Sequence, residues 1–165
     1  ININEWQKDR ISKLIVTSLF GTVSEKKLSI LGFSFKANTN DTRNSASIKI
    51  CQNLIEEGAF LSIYDPKVEK SQMEKDLEIS PLKNHQNNAK INWLKSDSLE
   101  NAIKDSHAII LLTEWDEFKN INLDFLIKIM KKPSWIFDTR LLVNVEKAQR
   151  AGFNVWQIGN KRNLT

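Results

Sequence analysis

Residues 28–47, LSILGFSFKANTNDTRNSAS, decide how this chain reads. Leu28, Ile30 and Leu31 make a short apolar strand and Gly32 lets the backbone turn tightly. Asp41, Thr42, Asn44 and Ser45 then offer side-chain oxygens suited to capping a helix. The helix that follows carries Ile48, Cys51, Leu54 and Ile55 at helical spacing, and Gly58 stops it. The loop therefore joins the carboxyl end of a strand to the amino end of a helix. In open α/β sheets ligands bind at that edge, because backbone N–H groups and the positive end of the helix dipole face the crevice. Lys36 and Arg43 add two cations there, and Ser45 and Ser47 add hydroxyl donors, a set suited to a phosphate. The same parts also occur in α/β proteins that bind nothing at this edge. With Gly32 as its only glycine, the loop is neither a GxGxxG fingerprint nor a Walker loop.

Toward the amino end, Ile11, Leu14, Ile15 and Leu19 recur at the steps of an amphipathic helix over residues 5–20. The INI before it holds no initiator Met and no evident cap, so the chain is expected to be cut from something longer. On the other side, residues 59–64 read as a second strand that ends at Asp65-Pro66. An acid in that place either binds a ribose hydroxyl or hydrogen-bonds its own turn. Residues 68–88 are polar and lysine-rich and contain Pro81, which predicts a loop with one short helix and the most mobile part of the chain. A third strand is expected at 91–94 and a helix at 98–104.

The near-continuous apolar run at 108–113 suits a strand buried on both faces. Glu114 and Asp116 at its carboxyl end could work as acid and base, but capping the next helical turn is the expected use. A helix at 123–130 is stopped by Lys131, Lys132 and Pro133. A strand at 135–137 leads to Asp138-Thr139-Arg140, and a helix at 145–151 and a strand at 153–158 follow. This alternation predicts an α/β, Rossmann-like three-layer domain with a mainly parallel sheet, preceded by an N-terminal helix. By that topology Lys36, Arg43 and Arg140 meet on one edge.

With 165 residues, 41% hydrophobic and 27% charged, the chain suits a single core. The net charge of +4 comes from scattered Lys and Arg with no basic stripe interleaved with aromatics, so no nucleic-acid partner is expected. Cys51, the single cysteine, reads as a small buried hydrophobe, which fits a reducing, cytoplasmic setting. Two His and one Cys make no zinc constellation, and no metal is expected. No apolar run reaches the roughly 18 residues that span a bilayer, and no signal-peptide core is seen, so no membrane partner is expected.

The string GFSFKANTNDTRNSAS resembles the pattern GF-x-FK-x-x-T-x-DTR-x-S-x-S that opens the C-terminal, UDP-binding domain of UDP-glucose 6-dehydrogenases, in the UDP-glucose/GDP-mannose dehydrogenase family. IYDPKV at 63–68, AIILLTEWDEF at 108–118 and IFDTR at 136–140 follow in the family's order, so the resemblance runs from the first helix through Gly159. It implies that residues 1–22 end a helix linking two nucleotide-binding domains and that 23–165 form the UDP-sugar-binding domain. It also implies that Phe35, Lys36 and Arg140 contact the UDP-sugar, while Arg43 contacts NAD bound mainly by the N-terminal domain. Thr139 stands where many members have Gly, and Asn44 where Glu is common; neither change removes a charged contact.

The family's reaction oxidises the sugar C6 alcohol twice, reducing two NAD, through a thioester on a cysteine. That cysteine, its neighbouring lysine and the GxGxxG lie upstream in the family. Cys51 does not match the catalytic position, so this chain is expected to hold no catalytic residue and to be inactive alone. A UDP-sugar, the N-terminal domain and further copies in a homo-oligomer are the implied partners. Alternatives are a domain of a UDP-N-acetylmannosamine or GDP-mannose dehydrogenase, or a non-catalytic nucleotide-sugar-binding module. The wording TNDTRNSAS resembles the UDP-glucose branch more closely.

Overall fold

The computed structural model describes residues 4–78 and 92–160. Within them strands and helices alternate: α1 (Glu5–Ser18), β1 (Lys27–Leu31), α2 (Ala46–Glu56), β2 (Phe60–Tyr64), α3 (Lys70–Leu77), β3 (Trp93–Lys95), α4 (Leu99–Ile103), β4 (Ala108–Leu111), a 3-10 turn (Asp116–Phe118), α5 (Leu123–Ile129), β5 (Trp135–Asp138), α6 (Val145–Ala151) and β6 (Asn154–Gln157). The strands form one six-stranded sheet in the order β3-β2-β1-β4-β5-β6, every neighbouring pair parallel. The expected α/β, Rossmann-like class is therefore present. Strand order reverses between β1 and β4, and the crevice outside their carboxyl ends is where such folds take ligands.

Side-chain alternation along the strands splits the core into two layers. Leu28 and Ile30 of β1 pack with Ile110 and Phe137 against Ile15 of α1, Ile50 and Leu54 of α2 and Met73 of α3. Leu31, Ile109, Leu111 and Ile136 pack instead against Ile103 of α4, Leu126 of α5 and Ala148 of α6. Cys51 is buried in the first layer, where burial pushes its thiol pKa up, as expected of a small hydrophobe.

One local feature differs from the sequence reading. Helix α1 does have a cap: the side chain of Asn4 accepts from the N–H of Gln7 at 2.9 Å. The short helix expected within 68–88 is α3, while the rest of that loop, and Ile91 of the third strand, lie outside the described residues. No helix among the described residues is long and apolar enough to cross a membrane.

Contacts of Gly32, Thr113, Asp65 and Asp138 position the loops at the carboxyl edge. Gly32 has φ +98°, and a Cβ there would stand 2.4 Å from the Cβ of Thr113 and 2.7 Å from its backbone nitrogen, so the exits of β1 and β4 touch. The Thr113 hydroxyl then donates to the carbonyl of Ser34 at 2.9 Å. Asp65, 3% exposed at the end of β2, accepts through one oxygen from the N–H groups of Phe33 and Ser34 and the indole of Trp115. Its other oxygen accepts from the N–H groups of Lys67 and Val68. Asp138, fully buried at the end of β5, accepts from the N–H groups of Arg140, Leu142 and Val143 and from the Gln157 amide. Each carboxylate thus fixes the backbone that leaves its strand.

Gly32→Ala is expected to cost about 3 kcal/mol in urea unfolding, because the added methyl meets Thr113 backbone at a positive φ. Asp65→Asn should cost about 2–4 kcal/mol, since an amide presents a donor where several buried N–H groups need an acceptor. Midpoints unchanged from those of the unsubstituted chain would contradict both expectations.

Candidate functional site

The loop from Gly32 to the start of α2 is held mostly by its own polar groups. The Phe35 N–H donates to the Asp41 carbonyl at 2.7 Å, and the Ser34 hydroxyl donates to the Lys36 carbonyl at 2.9 Å. Ser45 caps α2, accepting from the Ser47 N–H at 3.2 Å and donating to the Phe33 carbonyl at 2.8 Å. Ser47 donates to the Gly32 carbonyl at 3.0 Å. Both hydroxyls are buried and committed to the loop's backbone, so their expected role as donors to a bound anion is corrected to a structural one.

Phe35 is half-buried and Lys36 exposed on this loop. Arg43 points into solvent, its side chain 87% exposed, and grips Asp41 through Nε at 3.0 and 3.2 Å and Nη2 at 2.7 Å. Those side-chain hydrogen bonds, followed by the Arg43 N–H and with a smaller contribution from the charge of Lys36, hold the Asp41 carboxyl down at about 2.

Arg140 leaves β5 and leans across the sheet edge toward β4. Its Nε donates to the Leu112 carbonyl at 3.0 Å, and its Nη1 stands 3.4 Å from Oε2 of Glu114. Glu114 Oε1 accepts from the Ala37 N–H at 3.2 Å, next to Lys36 in the chain. A run of contacts therefore joins the β5 loop, the β4 exit and the β1 loop across the switch point. It brings Arg140 to the segment that carries Lys36, whereas the contact found for Arg43 is the one with Asp41.

The acidic turn differs from its expected use. Glu114 bridges two loops and caps no helix, and Asp116 pairs at 2.8 Å with Lys119, the residue that follows the 3-10 turn, which has no side-chain cap. Of the two readings open for Asp65, its position answers for the turn: both oxygens are occupied by N–H donors of its own turn, the β1 loop and Trp115. Beside it, Tyr64 donates to Glu117 at 2.9 Å, and burial, then that carboxylate, push the phenol up to about 12. Sequence reasoning missed Glu114 as a bridge. Its only signal was a carboxylate directly after a buried strand.

The family model described as UDP-glucose/GDP-mannose dehydrogenase family, UDP binding domain, matches residues 29–145. UDP-glucose 6-dehydrogenase of Drosophila melanogaster is 45% identical over 166 residues, covering 100% of this chain and 35% of that protein. Its counterpart in Caenorhabditis elegans is 43% identical, covering 96% of this chain and 32% of that protein. The chain thus spans about a third of the length of these relatives. Among solved structures, the NDP-N-acetyl-D-galactosaminuronic acid dehydrogenase of Methanosarcina mazei Go1 superposes with TM-score 0.72 at 20% identity, over 94% of this chain and 29% of that one, a likeness of fold. The UDP-D-ManNAc dehydrogenase of Pyrococcus horikoshii superposes with TM-score 0.69 at 25% identity, over 94% of this chain and 31% of that one. With its signature loop at the switch point of the expected sheet and the model matched from β1 into α6, the chain belongs to the UDP-glucose/GDP-mannose dehydrogenase family, as a UDP binding domain.

Proposed function

We propose that this chain is the nucleotide-sugar-binding part of an NAD-dependent UDP-glucose 6-dehydrogenase, which converts UDP-glucose to UDP-glucuronate. The observation that carries the reading is the 45% identity to such an enzyme along the whole chain. The placement of Lys36 and Arg140 on adjoining loops at the sheet's switch point supports it. Lys36 supplies a mobile point charge and Arg140 a planar fork, the two ways in which side chains hold a diphosphate. Phe35 offers an apolar face beside them.

The crevice does not fit a dinucleotide of its own. The β1–α2 loop has one glycine, and Asp65, which stands where a ribose-binding acid would, has both oxygens filled by protein donors. In this reading NAD is held by the remaining two thirds of the protein, with Arg43 turned toward it. Hydride transfer belongs there too, and Cys51, buried with a raised thiol pKa, takes no part. The role of this chain is to anchor the diphosphate so that the sugar is presented to that chemistry. Residues 1–22 would continue into the preceding domain, although α1 packs Ile11 and Ile15, and its C-cap Leu19, into the core described above. Assembly of the whole enzyme as a homo-oligomer is part of the same reading.

Calorimetric titration of UDP and UDP-glucose is expected to show saturable binding that Lys36→Ala or Arg140→Ala weakens roughly 30-fold or more. Affinities equal to that of the unsubstituted chain would place the diphosphate elsewhere. The Asp41–Arg43 pair has its own signature: followed by carboxyl NMR shifts, Asp41 should titrate at about 2 and return toward 3.8 in Arg43→Ala. Because the folded value lies below the ordinary one, whatever the pair adds to stability is present above pH 3.8 and lost as pH falls through about 2.

A further inference from the structure

Glu114 has no task in the binding role just described, yet it stands at the centre of the edge. Its Oε1 takes the Ala37 N–H, while its Oε2 is shut off from solvent and accepts no hydrogen bond among the described residues. Arg140 Nη1 is 3.4 Å from that oxygen, close enough to pair by charge but without hydrogen-bond geometry. The other side of the guanidinium is fixed, because Nε donates to the Leu112 carbonyl at 3.0 Å.

An arginine meets a phosphate best through two parallel N–H groups on one edge. With Nε committed to a backbone carbonyl, the edge left to Arg140 is the one formed by Nη1 and Nη2, and Glu114 stands 3.4 Å from its Nη1. The carboxylate therefore bridges two donors, a backbone N–H at the strand–helix loop and a guanidinium, that suit an oxyanion. Its grip on them is loose, at 3.2 and 3.4 Å with one oxygen lacking any proper donor.

We propose that the Glu114 carboxylate occupies the position of a ligand phosphate, and that the Ala37 N–H and Arg140 Nη1 are donors to that phosphate once Glu114 swings away. This rests on the reading that Arg140 binds the diphosphate, and adds to it a backbone donor and an internal competitor. The side chains of Arg140 and Glu114 are 18% and 37% exposed, so Glu114 has a path to solvent. An incoming diphosphate replaces one loosely held carboxylate with oxygens of higher charge. On release, Glu114 also frees the loop beside Lys36 to settle on the ligand.

The test is titration of UDP into the chain and its Glu114→Ala and Glu114→Gln variants, each first compared by thermal unfolding. Both variants remove the competing charge, and Gln keeps an acceptor for the Ala37 N–H, so a loop disturbed by Ala is recognised. UDP should bind about fivefold tighter to each, the scale of a partly exposed ion pair. In an Arg140→Gln background the gain should vanish, because no contact remains to be competed for. Equal or weaker binding in Glu114→Gln overturns the proposal, as does a gain that persists without Arg140, which would be general charge repulsion. If Arg140→Ala weakens UDP while Glu114→Gln does not tighten it, this proposal falls and the diphosphate reading stands. If no form of the chain binds UDP at millimolar concentration, both fall.

Discussion

The carboxylate of Asp65 holds together the part of this protein on which everything else at the sheet edge depends. It gathers five N–H donors from its own turn, the β1 loop and Trp115, and is almost wholly withdrawn from water. A buried charge is tolerable only when so surrounded, and removing the acceptor would strand several backbone donors. Asp138 repeats the device on the other side of the switch point, where it fixes the turn that presents Arg140. Between them the exits of β1 and β4 touch at Gly32 and Thr113. The strand-end acids thus act together with the Gly32 turn and the loop's own hydrogen bonds, and so a long β1–α2 connection with one glycine has a defined shape.

On this frame the charged groups sort into two kinds. Asp65 and Asp138 are saturated with donors and belong to the scaffold. Lys36 and Arg43 are exposed, Arg43 closely paired with Asp41, while Glu114 and Arg140 meet loosely. Ser45 and Ser47 fall in the first kind despite their position at a helix start, since both donate to carbonyls of the turn they follow.

Much of the fold was legible from residues alone, because periodicity and punctuation agreed. The run at 108–113, the alternation of strands with helices and the Gly58 stop each named an element that exists. The cap on α1 was overlooked since Asn4 belongs as readily to a loop as to a helix. At the site, the edge that carries Lys36 and Arg140 follows from topology, and the signature loop lies there. What a carboxylate does on that edge does not follow, for the choice between cap, bridge and general acid turns on ångström-scale placement between segments far apart in sequence. Glu114 was read as a cap and is a bridge, and the serine hydroxyls, read as ligand donors, face inward.

The bridge from Ala37 to Glu114 spans 77 residues of chain. Closing a loop of that length costs on the order of 4 kcal/mol of chain entropy before any contact across it repays the cost. Strand β1 pairs with nearby β2 but gains its second neighbour, β4, only from the far half of the chain, and such non-local pairing is slow to form. During synthesis the signature loop emerges long before β4 and β5 exist to receive it. A nascent chain ending before β4 would carry the family's most recognisable residues without the β4 and β5 exits that meet them.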